Sequence, residues 1–321
     1  MSITRILIVL CCFAATSAAV AQTFPLTIEH KFGTTVIESQ PERVVSLDYN
    51  GADNLLALGV QPVAIRYWYG DYPRAVWPWA EEVMTETPAI LRGDLNFEQI
   101  TATNPDVIIA VWSGITVEDY ERLSLIAPVV AVPPGVGDYA LSWEDQALIA
   151  GRAVGREAEA QRQVGILQER LANVAQANPD WDGRTAVVAT AWNGELGAYT
   201  SADVRPQLLD GLGFTTPEAV DGSVESNAFH VSFSMEDIDL LDADVLLWVS
   251  TSDDFRELDA VPARRFLAAH REGREVLIGN LLSSAFSHAS LLSLPYAIDR
   301  LVPALEAALD GNPDTHNDDR P

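Results

Sequence analysis

The stretch REAEAQRQVGILQERLANVAQAN, from Arg156 to Asn178, decides the fold of this 321-residue chain. Its small and apolar residues recur at steps of four, three, four and three, which places them on one stripe of a helix. The residues of this stripe are Ala160, Val164, Leu167, Leu171 and Val174. Pro179 prevents the helix from continuing. We therefore predict one helix of about 23 residues, roughly 35 Å long, which is the width of a small domain.

Short β-branched runs alternate with helical patterns on both sides of this helix. Such alternation predicts a doubly wound parallel sheet in each half of the chain. The predicted strands cover residues 44–47, 63–66, 107–111, 129–132, 186–191, 245–249 and 276–278. The predicted helices cover residues 52–58, 97–103, 117–126, 143–154, 206–212, 235–241, 263–269 and 296–309.

An internal repeat supports the division into halves. The segments FEQITATNPDVIIAV (97–111) and MEDIDLLDADVLLWV (235–249) align without a gap, which suggests two copies of one supersecondary unit. We predict an α/β fold of two similar doubly wound lobes joined by one long helix. The predicted segments are an N-terminal lobe (22–142), a connecting helical segment (143–179), a C-terminal lobe (180–310) and a frayed tail (311–321).

The first 21 residues have the pattern of a cleavable signal peptide. Arg5 precedes an apolar run, and Ala19-Val20-Ala21 has the small-x-small form of a cleavage site. We expect cleavage after Ala21, export to the periplasm and no membrane insertion. Leu10 precedes Cys11, so the sequence lacks the small residue that a lipoprotein signal needs before its cysteine. Both cysteines, Cys11 and Cys12, would leave with the signal.

The composition excludes several classes of function. The chain has 46 acidic against 20 basic residues and a net charge of −26, so nucleic acid and anionic membranes are poor partners. No nucleophile elbow, phosphate-binding loop, dinucleotide fingerprint or zinc-protease motif is present. The five histidines are not spaced as a metal site. These absences argue against the common enzyme classes, so we expect no cofactor, and an unrecognised α/β enzyme remains an alternative.

Tryptophan stands one or two residues after three of the predicted strands. Trp68, Trp112 and Trp192 stand at these strand ends, and Tyr69 follows the first of them. Ligands in open α/β sheets bind beyond the carboxyl ends of the strands, so these rings should face one cleft. Aromatic walls suit a bulky ligand with apolar and conjugated parts.

The chain resembles the periplasmic substrate-binding proteins of iron-siderophore ABC importers, a family that also includes cobalamin and haem binders. The resemblance implies two lobes bridged by a rigid helix, a ferric siderophore in the cleft, a monomer, and delivery to an ABC permease dimer. Haem and cobalamin stay open as ligands, as does the class of siderophore. The motifs that carry the resemblance are PERVVSLDYNGADNLLALGV (41–60), LRGDLNFEQITATNPDVIIAVWSG (91–114), SWEDQALIAGRAVGREAEA (142–160), YTSADVRPQLLDGLGF (199–214) and VSFSMEDIDLLDADVLLWV (231–249).

Polar contacts to such a ligand are expected from a few further residues. Arg92 matches a position where hydroxamate-binding members of the resembled family place a ligand-contacting arginine. Arg205 and Arg66 are additional candidates, because a guanidinium donates to two oxygens and stacks on conjugated groups. Tyr199 and His230 could add hydrogen bonds.

The resemblance also implies a docking surface for the permease. In that family one acidic residue on each lobe pairs with arginines of the permease dimer. Asp53 stands where the family usually has glutamate in the first lobe, and Glu218 is the nearest candidate in the second lobe.

Overall fold

The computed structural model describes residues 22–50, 52–192, 194–223 and 228–315. The predicted signal peptide (1–21) and the last part of the predicted tail (316–321) lie outside the described residues. Residues 311–315 form a turn in which the Thr315 hydroxyl donates to the Asp310 carboxylate over 2.7 Å. Within the described ranges, no helix combines the length and apolar character needed to cross a bilayer.

Strands and helices alternate along most of the described chain. The strands are β1 (Leu26–His30), β2 (Gly33–Ile37), β3 (Val44–Ser46), β4 (Ala64–Arg66), β5 (Ala89–Leu91), β6 (Val107–Ala110), β7 (Val129–Ala131), β8 (Ala186–Trp192), β9 (Glu195–Tyr199), β10 (His230–Phe233), β11 (Val245–Val249) and β12 (Glu275–Ile278). The helices are α1 (Asp53–Ala57), α2 (Pro78–Glu81), α3 (Phe97–Ala102), α4 (Val117–Ser124), α5 (Trp143–Ala153), α6 (Glu157–Ala177), α7 (Val204–Asp210), α8 (Glu218–Asp221), α9 (Ala268–Arg271), α10 (Asn280–His288) and α11 (Ser293–Ala308). Residues 235–241, predicted as an α-helix, form a 3₁₀ helix. The helix predicted at 263–269 is divided between a 3₁₀ helix at 262–266 and the start of α9.

The first lobe contains a five-stranded sheet in the order β5-β4-β3-β6-β7. All of its strand pairs are parallel, as the buried β-branched runs predict. A separate antiparallel hairpin, β1-β2, precedes it. The chain order reverses between β3 and β6, which makes the carboxyl ends of these two strands the switch point of the sheet.

The second lobe repeats this order as β10-β9-β8-β11-β12. Here β8, β11 and β12 are parallel, whereas β9 and β10 are antiparallel. The prediction of a parallel sheet therefore holds for three strands of this lobe. Strand β9 is reversed because Trp192 pairs with Glu195 only three positions later, and so short a connection can join only antiparallel strands. Strand β10 pairs antiparallel with β9 and therefore runs in the same direction as β8.

The internal repeat corresponds to equivalent places in the two sheets. The carboxylate of Asp106 accepts hydrogen bonds from the backbone N–H groups of Glu42 and Arg43, just before β3. The carboxylate of Asp244 accepts one from the N–H of Thr185, just before β8. In each lobe the aspartate thus fixes the start of the first central strand. The sequence similarity between the two segments reflects this shared local structure.

The long predicted helix is confirmed as α6, whose 21 residues span roughly 30 Å. Its apolar stripe is buried along one face, and the last stripe residue, Val174, is half-buried. The stripe packs into one apolar cluster that extends from Leu58 and Trp143 of the first lobe to β8, β11 and β12 of the second. Because this apolar core is continuous between the lobes, α6 connects them as a helix that is packed against the core.

Polar groups also tie the lobes together beside this core. The Asp53 carboxylate accepts 2.7 Å hydrogen bonds from the indole N–H of Trp79 and from the hydroxyl of Ser290, which follows α10. The next residue, Asn54, accepts a hydrogen bond from the backbone N–H of Leu291. The bonds from Ser290 and Leu291 cross from the second lobe to the first, and the bond from Trp79 holds the Asp53 carboxylate within the first lobe. We name Asp53, Trp79 and Ser290 the inter-lobe clamp.

The burial of Asp53 contradicts its predicted role in permease docking. Asp53 is only 2% exposed, and its carboxylate is occupied by the inter-lobe clamp. Burial raises its pKa to about 6, although the bonds from Ser290 and Trp79 act to lower it. The Asp53 side chain therefore contributes to the contact between the lobes, and its carboxylate is not accessible to another protein.

Candidate ligand site

A cavity of about 630 Å³ lies at the carboxyl ends of β8 and β11. Chain order reverses between these two strands, so the cavity occupies the position where open α/β sheets bind ligands. The first lobe contributes Trp68 and Tyr69 to its lining, and the second lobe contributes the rest. The cavity is therefore the cleft between the lobes.

Six of the nine residues predicted to bind ligand line this cavity. Trp192 is 67% exposed, whereas most of the others are half-buried. The aromatic side chains form a wall, and an arginine and a histidine supply polar groups. The six are Trp68, Tyr69, Trp192, Tyr199, Arg205 and His230.

Arg205 is a buried arginine in the lining of the cavity. It is 7% exposed, and its Nη1 donates to both carboxylate oxygens of Asp203 over 2.8 and 2.9 Å. Its Nε donates to the Ser287 hydroxyl over 3.1 Å, and its guanidinium stacks on the Tyr199 ring at 3.8 Å. Among the described residues, none accepts a hydrogen bond from Nη2. This nitrogen is available for a ligand oxygen.

The local sequence explains how Arg205 is held. Asp203 caps the amino end of α7 by accepting from the backbone N–H of Arg205, and the same carboxylate holds the guanidinium. Burial acts to lower the pKa of Arg205, but the Asp203 carboxylate raises it above its ordinary value. Arg205 therefore presents a fixed positive charge to the cavity.

His230 lies at the start of β10 beside this arginine. Its Nε2 is 3.4 Å from the Thr190 hydroxyl, and its ring makes an edge contact with Tyr199 at 5.1 Å. Burial lowers its pKa; Asp203 acts to raise it and Arg205 acts to lower it further. His230 is consequently neutral at physiological pH and serves as a hydrogen-bonding group.

Sequence reasoning missed the helix α10, which supplies hydroxyl groups to the cavity. Ser283 and Ser287 both line it, and their spacing of four residues puts them on one helix face. Burial raises the pKa of the Tyr69 hydroxyl, and the nearby Ser284 and Ser287 act to lower it. The segment NLLSSAFSH (280–288) is rich in serine, which masks its helical pattern. The repeat of serines at four-residue spacing was the signal available in the sequence.

His288, at the end of α10, lies in an aromatic cage between the lobes. Its Nδ1 donates to the backbone carbonyl of Ser284 over 2.8 Å, and its ring contacts four aromatic rings of the first lobe. Burial lowers its pKa to about 4, so the imidazole is neutral. His288 acts as a packing residue that joins the lobes beneath the cavity. The cage consists of Trp68, Tyr69, Trp77 and Trp79.

Three predicted ligand residues, Trp112, Arg92 and Arg66, do not line the cavity. Trp112 is 5% exposed and lies behind Trp68, with ring centroids 5.6 Å apart. Arg92 is exposed at the end of β5, an edge strand, and stacks on the Tyr67 ring at 3.8 Å. The family position assigned to Arg92 therefore does not bring its guanidinium to this cavity, because Tyr67 holds it at the sheet edge.

Arg66 belongs to a neighbouring depression in the first lobe. Its Nη1 donates to the Ser113 carbonyl over 2.9 Å, and its guanidinium stacks on Tyr49 at 4.1 Å. The depression, of about 320 Å³, is also lined by Asp94, Asp119 and Arg122. Arg66 thus lies outside the lining of the larger cavity. Within the described ranges, no group of three or more His, Cys, Asp or Glu side chains could hold a metal ion.

Comparison with known proteins agrees with this geometry. The family profile described as Periplasmic binding protein matches residues 44–274. The chain belongs to the periplasmic binding protein family. Similar solved structures include a periplasmic solute binding protein from Mycobacterium smegmatis, 33% identical with a TM-score of 0.77, covering 88% of this chain and 98% of that one. Another is PiaA of Streptococcus pneumoniae in complex with ferrichrome, 29% identical with a TM-score of 0.76, covering 89% and 99%.

Curated members of this periplasmic binding protein family are also similar. The probable siderophore-binding lipoprotein YfiY of Bacillus subtilis is 27% identical over 75% of this chain and 74% of its own length. The Fe(3+) dicitrate-binding periplasmic protein FecB of Escherichia coli is 28% identical over 66% of this chain and 69% of its own length.

Proposed function

We propose that this periplasmic binding protein captures a ferric siderophore between its lobes and delivers it to an ABC permease for iron uptake. The observation that carries the proposal is a cavity at the sheet switch point that combines aromatic walls with one buried, charged arginine. In this proposal the protein is exported, acts in the periplasm as a monomer and returns its ligand unchanged. Its relatives named for siderophores or ferric dicitrate support the ligand class.

The size and chemistry of the cavity fit such a ligand. Its volume of about 630 Å³ lies within the usual range for sites that bury a small molecule. Trp68 and Trp192 offer flat apolar surface to the organic part of a chelate. Arg205 and the serine hydroxyls offer donors to its oxygen atoms. Because the iron would remain enclosed by the siderophore, no protein group needs to coordinate it.

Tryptophan fluorescence tests the proposal directly. Titration of the mature protein with ferric siderophores should quench its fluorescence in a saturable way, because Trp68 and Trp192 line the cavity and ferric chelates quench nearby indoles. The gallium complex of the same siderophore is the control for shape, since it should compete for the site with little quenching. Trp192→Phe should reduce the amplitude of the quench.

Other outcomes would overturn the proposal. A Soret band with axial-ligand features on addition of haem, together with no response to any siderophore, would assign the cavity to haem. Chemical turnover of the bound ligand would assign it to an enzyme.

Glu218 remains the candidate for permease docking in the second lobe. It is exposed at the first position of α8, so its carboxylate is accessible to a partner. Glu218→Arg should place like charges face to face with a permease arginine and reduce uptake in cells, while ligand affinity of the purified protein stays unchanged. The matched control is Glu306→Arg on α11, also exposed. Equal uptake by cells that carry either variant would show that Glu218 is not part of the docking surface.

A further inference from the structure

We infer that the chelate bound in this cavity has no net negative charge, and that Glu195 and Glu257 exclude anionic chelates. This inference rests on the proposed function and narrows its ligand to neutral or cationic ferric complexes, of which ferric hydroxamates are the main class. Hydroxamate groups each lose one proton on binding iron, so three of them balance the charge of Fe³⁺. Catecholate and citrate groups carry more charge and leave their ferric complexes anionic.

The charged side chains in the lining carry the argument. Among the described residues, they are Arg205, Glu195 and Glu257. Glu195 is exposed at the start of β9, directly across the hairpin from Trp192. Glu257 is half-buried in a 3₁₀ turn after β11. The lining therefore contains two negative charges against one positive charge, and the excess is negative.

The single positive charge is already balanced within the protein. Arg205 donates two hydrogen bonds to Asp203, whose carboxylate is buried beside it. A ligand oxygen can still accept a hydrogen bond from Nη2, but it meets a guanidinium whose field is reduced by its partner. Such a group suits a carbonyl or hydroxamate oxygen. It does not supply the cluster of free cations that a multiply charged anion requires.

Neighbouring basic groups do not reverse this balance. His230 is neutral because burial lowers its pKa. Arg66 and Arg122 line a separate depression together with Asp94 and Asp119, so that depression has as many carboxylates as guanidinium groups. The remaining polar lining consists of hydroxyl groups, which bind neutral oxygen and nitrogen atoms equally well. They are Thr190, Ser232, Ser250, Thr251, Ser252, Ser283 and Ser287.

A panel of chelates with different charges tests the inference. The probes are neutral ferrichrome, cationic ferrioxamine B, anionic ferric dicitrate and the trianionic ferric enterobactin, each titrated at low and high salt. At low salt, we expect at least one hydroxamate complex to bind more tightly than both anionic complexes, by a factor of about 30 or more. Any residual binding of ferric enterobactin should strengthen when salt rises from about 0.01 M to about 0.5 M, because screening weakens repulsion.

The double variant Glu195→Gln, Glu257→Gln assigns the selectivity to these two residues. It should improve binding of ferric enterobactin about tenfold and change ferrichrome binding less than about twofold. Glu306→Gln, on a distant part of α11, is the control and should change neither. Tighter binding of an anionic complex than of both hydroxamates, or no gain in the double variant, would overturn the inference. Failure of all four chelates to bind would instead overturn the proposed function.

Discussion

Replacing Arg205 by glutamine should weaken binding of a ferric siderophore about 10- to 100-fold, because a charge-assisted hydrogen bond to the ligand is lost. The same change should destabilise the free protein by about 3–5 kcal/mol, since it leaves the buried Asp203 carboxylate without its cation. Arg205 is 7% exposed and Asp203 is 2% exposed, so solvent does not screen their interaction. Titration and urea unfolding of the same variant measure the two effects.

A second variant separates binding from stability. Asp203→Asn combined with Arg205→Gln removes both charges, and asparagine can still cap α7. We expect this double variant to recover most of the lost stability while its affinity remains low. Arg92→Gln is the matched surface control, because Arg92 is exposed and stacks on Tyr67 outside the cavity. Recovery of affinity in the double variant, or an equal loss in Arg92→Gln, would remove Arg205 from the ligand contacts.

Replacing Asp53 by asparagine should stabilise the protein at neutral pH. Burial raises the pKa of Asp53 from 3.8 to about 6, so the folded state binds its proton more tightly than the unfolded state does. The stability that this group contributes is fully present below about pH 4 and is lost as the pH rises through about 6. Each pKa unit corresponds to about 1.4 kcal/mol, so the shift from 3.8 to about 6 lowers the free energy of unfolding at pH 7 by about 3 kcal/mol.

Asparagine keeps an acceptor oxygen for the Trp79 and Ser290 donors but carries no charge. The difference in free energy of unfolding between Asp53→Asn and the wild type should therefore be about 3 kcal/mol at pH 7 and should approach zero near pH 4. Asp53→Ala is the comparison that removes the inter-lobe clamp, and it should be about 2–4 kcal/mol less stable than Asp53→Asn because two buried donors lose their acceptor. Urea unfolding at several pH values measures both differences. A gap that does not change with pH would show that Asp53 is ionised in the folded protein over this whole range.

The parts of the fold that follow from local pattern were predictable from the sequence. The stripe of α6 repeats at helical spacing over five residues, and Pro179 marks its end. The central parallel strands are short β-branched runs that are buried on both faces. The repeat at Asp106 and Asp244 shows in sequence because both carboxylates perform the same local task.

The parts that depend on tertiary contacts were not predictable in this way. Strand β9, with the sequence ELGAY, has little β-branched character and is held by pairing with β8 and β10. Helix α10 is rich in serine, and its place in the cavity depends on the packing of the two lobes. Asp53 was predicted as a surface carboxylate from a resemblance in sequence, but Trp79 and Ser290 become its partners only in three dimensions.

In the candidate site, too, some residues were predictable from local sequence and others depended on tertiary contacts. Trp68 and Trp192 were recognisable because aromatic residues at strand ends collect at one edge of a sheet. Tyr199 was named only as a residue that could add a hydrogen bond. Arg205 was only a secondary candidate in the sequence, since nothing local distinguishes it from an arginine on the surface. In the structure, Arg205 is the main candidate for a polar contact with the ligand, because it is buried, pairs with Asp203 and stacks on Tyr199.

The location of bound iron tests the central claim most directly. Crystals of the protein grown with ferrichrome, measured at the iron absorption edge, give the iron position from its anomalous scattering. The account predicts one strong peak inside the cavity between the lobes, with chelate oxygens within hydrogen-bonding distance of Arg205 and the organic part against Trp68 or Trp192. An iron peak at a surface site, or in the depression lined by Arg66 and Arg122, would contradict it.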